Sequence, residues 1–101
     1  MANFIRSYSL NFSRPKQTID MPKRARVLHV YRDGNRIALD AVLVEDADTR
    51  AFDVKHQRYF EVVATGGACP EGSHVGSVTL DVGSGKKVTT TAFHVYEVRG
   101  R

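Results

Sequence analysis

The stretch that most constrains the fold is "RVLHVYRDGNRIALDAVLV", residues 26–44, in which two β-rich runs flank Asp33-Gly34-Asn35. Gly and Asn tolerate the positive φ that a tight turn between antiparallel strands requires, so this stretch predicts a β-hairpin. The second run, Ile37 to Val44, is apolar on both faces apart from Asp40. This pattern predicts a strand covered on both sides or the central strand of a curled sheet.

The same period of two recurs along most of the chain, and Gly or Pro interrupts it. Further predicted strands are "FIRSYSLNF" (4–12), "QTIDM" (17–21, an edge strand closed by Pro22), "YFEVVAT" (59–65), "HVGSVTLDV" (74–82) and "KVTTTAFHVYEV" (87–98). The last two are predicted to form a second hairpin through a Gly-containing loop. The sequence therefore predicts an all-β protein with little helix, a small antiparallel β-barrel or sandwich of six or seven strands built from hairpins.

The segments outside these strands are predicted to be a break, a loop and a tail within one domain. Residues 14–16 are predicted to break the chain after the first strand, and residues 99–101 are predicted to be a frayed tail. Residues 45–58 have weak apolar spacing and are predicted to be a loop with at most one helical turn. A chain of 101 residues fits a single domain, so residues 1–101 are expected to form one β domain.

The amino-acid composition favours a globular domain over a membrane-spanning, disulfide-rich or disordered protein. No apolar run approaches the roughly 20 residues that span a bilayer, so no membrane association is expected. A single cysteine excludes an internal disulfide framework and suits a reducing cytosol. The hydrophobic content of 42% and charged content of 26% are ordinary for a globular domain, so disorder is not expected over most of the length.

The segment "FEVVATGGACPEGSHVGSV", residues 60–78, is the one stretch that looks like a site. Cys69 could meet His74 or His94 in space, and Asp40 and Glu61 could orient a histidine, but no local nucleophile or metal-ligand motif supports either role. The Gly-Lys pair at residues 85–86 also lacks the upstream glycine and the following Ser or Thr of a phosphate-binding loop. We therefore interpret the glycines and the proline of residues 60–78 as the residues of a turn between strands. We expect no catalytic residue, no metal site and no cofactor.

Charge is distributed unevenly over the net +4 of the chain. Residues 1–36 hold eight Lys or Arg against two Asp, whereas the remainder holds seven basic and nine acidic residues. Such asymmetry is typical either of a basic face for an anionic partner or of cations that keep strand edges soluble. Under the first interpretation, the candidate contacts to a partner or to nucleic acid are Arg14, Lys16, Lys23, Arg24 and Arg26.

Several short motifs carry a resemblance to a known family. "TIDMPKRARVLHV", "ALDAVLVE", "FEVVATGG", "HVGSV" and "AFHVYEV" follow one another over roughly residues 17–98. In this order they resemble a family of short tailed-phage proteins known only as a domain of unknown function. The chain departs from that pattern at Gly67, where a histidine is common, at Ser77, where Thr is usual, and in a longer stretch around 50–58.

The resemblance implies a phage gene product that acts in the cytoplasm of an infected bacterial host, and the family supplies no catalytic or binding residue. On that origin we expect a small accessory protein that binds a macromolecular partner, a bacterial host or defence protein, without catalysis. Two alternatives remain open: a nucleic-acid-binding β domain that uses the basic N-terminal third, and a minor virion or assembly component. An uncovered edge strand would also allow a homodimer.

Overall fold

The described part of the chain is built from seven β-strands. The computed structural model describes residues 3–22, 24–44 and 55–99, and no helix occurs within these ranges. The strands are β1 (Asn3–Leu10), β2 (Lys16–Pro22), β3 (Arg26–Asp33), β4 (Arg36–Val44), β5 (Lys55–Ala64), β6 (Gly72–Ser84) and β7 (Lys87–Val98). The all-β prediction and the count of seven strands are confirmed.

These strands form two antiparallel sheets that do not close into a barrel. The three-stranded sheet has the order β1-β4-β3, and the four-stranded sheet has the order β2-β5-β7-β6. Both predicted hairpins are present, since β3 pairs with β4 and β6 pairs with β7. The strand Ile37 to Val44 lies within β4, the central strand of its sheet, and β2 ends at Pro22 on a sheet edge, as predicted.

One apolar cluster joins the two sheets. Alternate residues of β4 point inward and are fully buried, among them Ile37, Leu39 and Leu43, and they share the core with Phe60 of β5 and Leu80 of β6. No polar or charged side chain of the described residues is buried. Because the period of two sends polar residues outward, every charge on the strands is available to the outer faces or to the ends of the core.

Two predicted boundaries were wrong. Lys55 to Arg58 belong to β5, although we expected loop or helix there, because this segment pairs with Ile19 to Pro22 of β2. Backbone pairing with a neighbouring strand recruits residues whose own pattern is weakly strand-like. Likewise Lys16 opens β2 rather than belonging to the break. The rest of the expected loop, 45–54, and the tail residues 100–101 lie outside the described residues.

The two sheets approach each other closely where β3 runs beside β6. A Cβ atom built on Gly76 of β6 would lie less than 3.0 Å from a methyl group of Val30 on β3. A little further along, Arg32 donates to Asp81 across the same contact at 3.2 Å. A side chain at position 76 would therefore require Val30 or one of the two strands to move.

A partly buried ion pair joins β5 to β7. Arg58 of β5 binds both carboxylate oxygens of Glu97 on β7, at 2.6 and 2.7 Å, and it also donates to the carbonyl of Ala25. The two side chains are only 16% and 28% exposed. A bidentate pair of this geometry fixes β5, β7 and the turn before β3 relative to one another.

Candidate functional site

Residues 65–71, the connection within the segment 60–78 that was singled out in the sequence, cross the outer face of the four-stranded sheet. The connection joins β5 to β6, which are parallel to each other and lie on either side of β7. The crossing begins with a turn in which Gly67 donates to the carbonyl of Ala64 at 2.9 Å and Gly66 has a φ of 99°. The positive φ available to glycine therefore explains how the chain turns away from the end of β5. The remainder of the segment lies over the side chains of β7.

Four polar side chains on the outer face of β6, β7 and the start of the crossing form a continuous hydrogen-bonded chain, here called the relay. Thr65 Oγ1 lies 2.9 Å from His94 Nε2, His94 Nδ1 lies 2.7 Å from Ser77 Oγ, and Ser77 Oγ lies 3.0 Å from His74 Nε2. Each histidine nitrogen and each hydroxyl can donate or accept here, so the relay is consistent with more than one arrangement of its protons. The relay ties β6, β7 and the start of the crossing together.

A bulge in β6 is what brings this relay onto one face. Residues 74 and 77 are three apart and would point to opposite faces of a regular strand. The register shifts between His74 and Gly76, which leaves Val75 as the extra residue. As a result His74 and Ser77 pair with Tyr96 and His94, all on the outer face.

Cys69 lies beside a tyrosine rather than within bonding distance of a histidine. Its Sγ is 3.5 Å from the hydroxyl of Tyr96, whose ring meets that of His74 edge-on at 5.2 Å between centroids. The contact with Cys69, and desolvation after it, raises the pKa of Tyr96 above its ordinary value. The contact between this thiol and the phenol links the crossing to β7.

The outer face of the three-stranded sheet carries a second polar cluster around Asp40. Its carboxylate accepts from Ser7 at 2.5 Å, from His29 at 3.0 Å and from Tyr31 at 3.2 Å. The hydrogen bond from Ser7 is the largest of the causes that lower the pKa of Asp40. The expectation that Asp40 could orient a histidine agrees with this contact to His29, whose side chain is 59% exposed.

An open recess lies on the outer face of the four-stranded sheet. It is an open groove of about 780 Å³ whose lining includes Arg14, Lys16, Glu61, Glu71 and Arg99. None of these five charged side chains forms an ion pair with another described residue. The groove is lined by charges of both signs, and two of them, Lys16 and Glu61, are directly opposite each other on β2 and β5.

The predicted basic contacts are distributed over two places. Arg14 and Lys16 line the groove, whereas Arg24 and Arg26 lie beyond the other end of β2, and Lys23 is outside the described residues. Lys16 and Pro22 are the two ends of β2, so about 20 Å separates the two basic positions at about 3.3 Å per residue. The sequence does not identify the acidic residues of the groove, since only the pairing of β2 with β5 places Glu61 beside Lys16.

No group of three His, Cys, Asp or Glu side chains is placed to hold a metal ion in the described residues. None of the described residues forms a helix long and apolar enough to cross a membrane.

The entire chain matches the model of one known protein family. A family model described as a domain of unknown function, DUF7352, matches residues 1–101. The chain belongs to the DUF7352 family. No curated protein and no solved structure matches it at a significant level. Membership agrees with the resemblance to a domain of unknown function and assigns no role to the relay or the groove.

Proposed function

We propose that this chain is a non-catalytic binding domain that holds a segment of a partner protein in the groove of the four-stranded sheet. The observation that carries the proposal is the set of five charges of both signs, unpaired among the described residues, around one open recess. A polypeptide can offer both carboxylates and cations to such a lining. The phosphates of a nucleic acid would meet Glu61 and Glu71 as well as the cations, which disfavours them as ligands.

The biological setting is part of the same proposal. The resemblance to short tailed-phage proteins supports a partner from a bacterial host, a host or defence protein, encountered in the cytoplasm of the infected cell. Binding alone would suffice for such a role, because occupying a surface of the partner blocks its other contacts. The groove is the surface on which such a partner would be held.

A pull-down from bacterial host lysate, with and without nuclease, tests the proposal. We expect one or two host proteins to be retained after nuclease treatment and to be lost from the variants Lys16→Glu and Glu71→Lys. Lys87→Glu is the matched control, because it reverses an exposed charge at the start of β7, outside the groove lining.

Three outcomes would contradict the proposal: an empty pull-down, retention that disappears with nuclease, or equal retention by the groove variants and the wild type. Retention that depends on nucleic acid would instead favour the nucleic-acid-binding alternative. In that case binding would weaken steeply with salt concentration.

A further inference from the structure

One side of the first half of β7 has no strand beside it. β6 pairs with β7 along its whole length, whereas β5 pairs only with Phe93 to Val98. The last backbone hydrogen bond that the described residues make on the β5 side runs from Thr65 N–H to the carbonyl of Ala92, at 3.0 Å. After that bond the chain turns away into the crossing. Among the described residues, no strand therefore pairs with this side of residues 87–91.

The direction of the backbone groups along this segment follows from that hydrogen bond. In a strand, the N–H and C=O of one residue point to the same side, and successive residues alternate between sides. Because the carbonyl of Ala92 points towards β5, the backbone groups of Thr90 and Val88 point to the same, vacant side.

A side-chain contact across β6 and β7 agrees with this direction. Thr90 is directly opposite Asp81, and its Oγ1 donates to the Asp81 carboxylate at 3.0 Å. Opposite side chains are closest in antiparallel pairs that exchange no backbone hydrogen bond, so the backbone groups of Thr90 face away from β6. Val88 and Thr90 together present two N–H donors and two C=O acceptors to the vacant side.

The side chains of this segment favour the addition of a strand. Val88 is 53% exposed, and residues 89 and 90 are also exposed. Val and Thr are β-branched residues that pack well against neighbours on a pleated surface. The segment contains no proline, and no bulge interrupts its register with β6, although these are the usual devices that keep an edge from pairing.

The charge beside the segment selects the occupant. Lys86 and Lys87 are exposed and form no ion pair with a described residue. The carboxylate of Asp81 on β6 does not compensate them, because it is bound to Arg32 and Thr90. Pairing this edge with the same edge of a second copy would bring four lysines to one short interface, and like charges oppose such pairing. An acidic strand would instead compensate both lysines.

From these features we infer that β7 accepts, at Val88 and Thr90, an extended segment of another protein as an added antiparallel strand with an acidic C-terminal end. Each of these two residues exchanges a pair of backbone hydrogen bonds with the residue opposite. The acidic end lies opposite Lys87 and Lys86, because an antiparallel strand runs from Thr91 towards the turn. This edge is separate from the groove, so the inference goes beyond the proposed function and does not depend on it.

The test uses the acetylated and amidated peptide Gly-Thr-Thr-Thr-Val-Glu-Glu-Gly, titrated into the ¹⁵N-labelled full chain. In the expected register its valine lies opposite Val88 and its glutamates lie opposite Lys87 and Lys86. We expect saturating peptide to slow solvent exchange of the Val88 and Thr90 amide hydrogens about fivefold or more, because these are the donors that it pairs. The amides of residues 89 and 91 already face β6, so their exchange should change less.

Modified peptides separate strand pairing from charge attraction. N-methylation of the valine removes the donor to the Val88 carbonyl and should raise Kd about tenfold. N-methylation of the first glutamate, whose N–H points away from β7, should leave Kd within about threefold. Lysines in place of both glutamates should also raise Kd about tenfold. Equal affinity of the two methylated peptides, or no protection of Val88 and Thr90 by the parent peptide, would overturn the inference.

Variants of the protein test the same edge. Val88→Pro removes the free N–H at a position where an edge strand tolerates proline, and it should abolish peptide binding, whereas Val88→Ala keeps the N–H and the binding. The dispersion of each spectrum reports folding, and the methylated peptides decide the question if Val88→Pro does not fold. Lys87→Glu should weaken peptide binding and leave the groove intact, while Lys16→Glu should do the reverse. Either proposal can therefore fail while the other stands.

Discussion

The close approach of β3 and β6 at Gly76 gives a prediction that can be tested without knowing the partner. In Gly76→Ala, the new methyl group would lie less than 3.0 Å from a Val30 methyl, where carbon atoms normally stay about 3.5–4.0 Å apart. Gly76 does not have a positive φ, so the substitution adds no backbone strain. The cost is therefore one of overpacking, about 1–3 kcal/mol of unfolding free energy.

The same geometry predicts that a second substitution restores the lost stability. Val30→Ala removes the clashing methyl group and leaves the Val30 nitrogen and Cβ at 3.4 and 3.5 Å from the new methyl, close to ordinary contact. Alone, Val30→Ala should cost about 1 kcal/mol, because two methyl groups on a half-buried side chain are lost. In that background Gly76→Ala should cost close to nothing, which gives a favourable coupling of about 1–3 kcal/mol between positions 30 and 76.

Urea unfolding followed by far-ultraviolet circular dichroism measures this double-mutant cycle. Val27→Ala is the control, because Val27 is also a half-buried valine of β3 and is not among the atoms nearest to Gly76. Its effect should add to that of Gly76→Ala within about 0.5 kcal/mol. If Val30→Ala were also additive with Gly76→Ala, the steric explanation for the glycine would be refuted.

Three further predictions concern single side chains. The hydroxyl of Tyr8 is buried without a partner among the described residues, so Tyr8→Phe should leave the urea midpoint unchanged or raise stability by up to about 1 kcal/mol, and a loss of that size would reveal a missed partner. The lowered pKa of Asp40 means that its carboxylate stabilises the fold above its ordinary pKa of about 3.9, a contribution lost as pH falls through the lower folded value. Acid unfolding of Asp40→Asn should therefore be less pH-dependent than that of the wild type, and an equal pH dependence of the two proteins would contradict this role of Asp40. Cys69→Ser should keep both the melting temperature and partner capture, and a folded variant that no longer captures the partner would contradict the assignment of Cys69 to loop structure.

Much of the local structure was predictable from the sequence. The turn Asp33-Gly34-Asn35 and the alternation around it specify the β3–β4 hairpin, because tight turns and half-buried strands each have local residue requirements. The bounds of β7, residues 87–98, were predicted as observed. The start of β5 was not, since Lys55 to Arg58 become a strand only through their pairing with β2.

The candidate site was far less predictable. Arg14 and Lys16 were identified by charge alone, but their acidic counterparts lie on β5 and before β6, and only the strand order brings them together. The relay between His74, Ser77 and His94 depends on a one-residue bulge that has no signature in the sequence. A bulge is decided by how two strands fit together, which is a property of the sheet rather than of either strand.

The sequence by itself determined that the described part of the chain is all-β and where its tight turns lie, because these properties depend on backbone conformation and on apolar periodicity within a few residues. The tertiary structure alone decided that the strands divide into two sheets, that residues 65–71 cross the face of β7, and that a mixed-charge groove lies across β2, β5 and β7. These features arise from contacts between residues distant in sequence. Their energies depend on strand order and register, which no short stretch of this chain encodes.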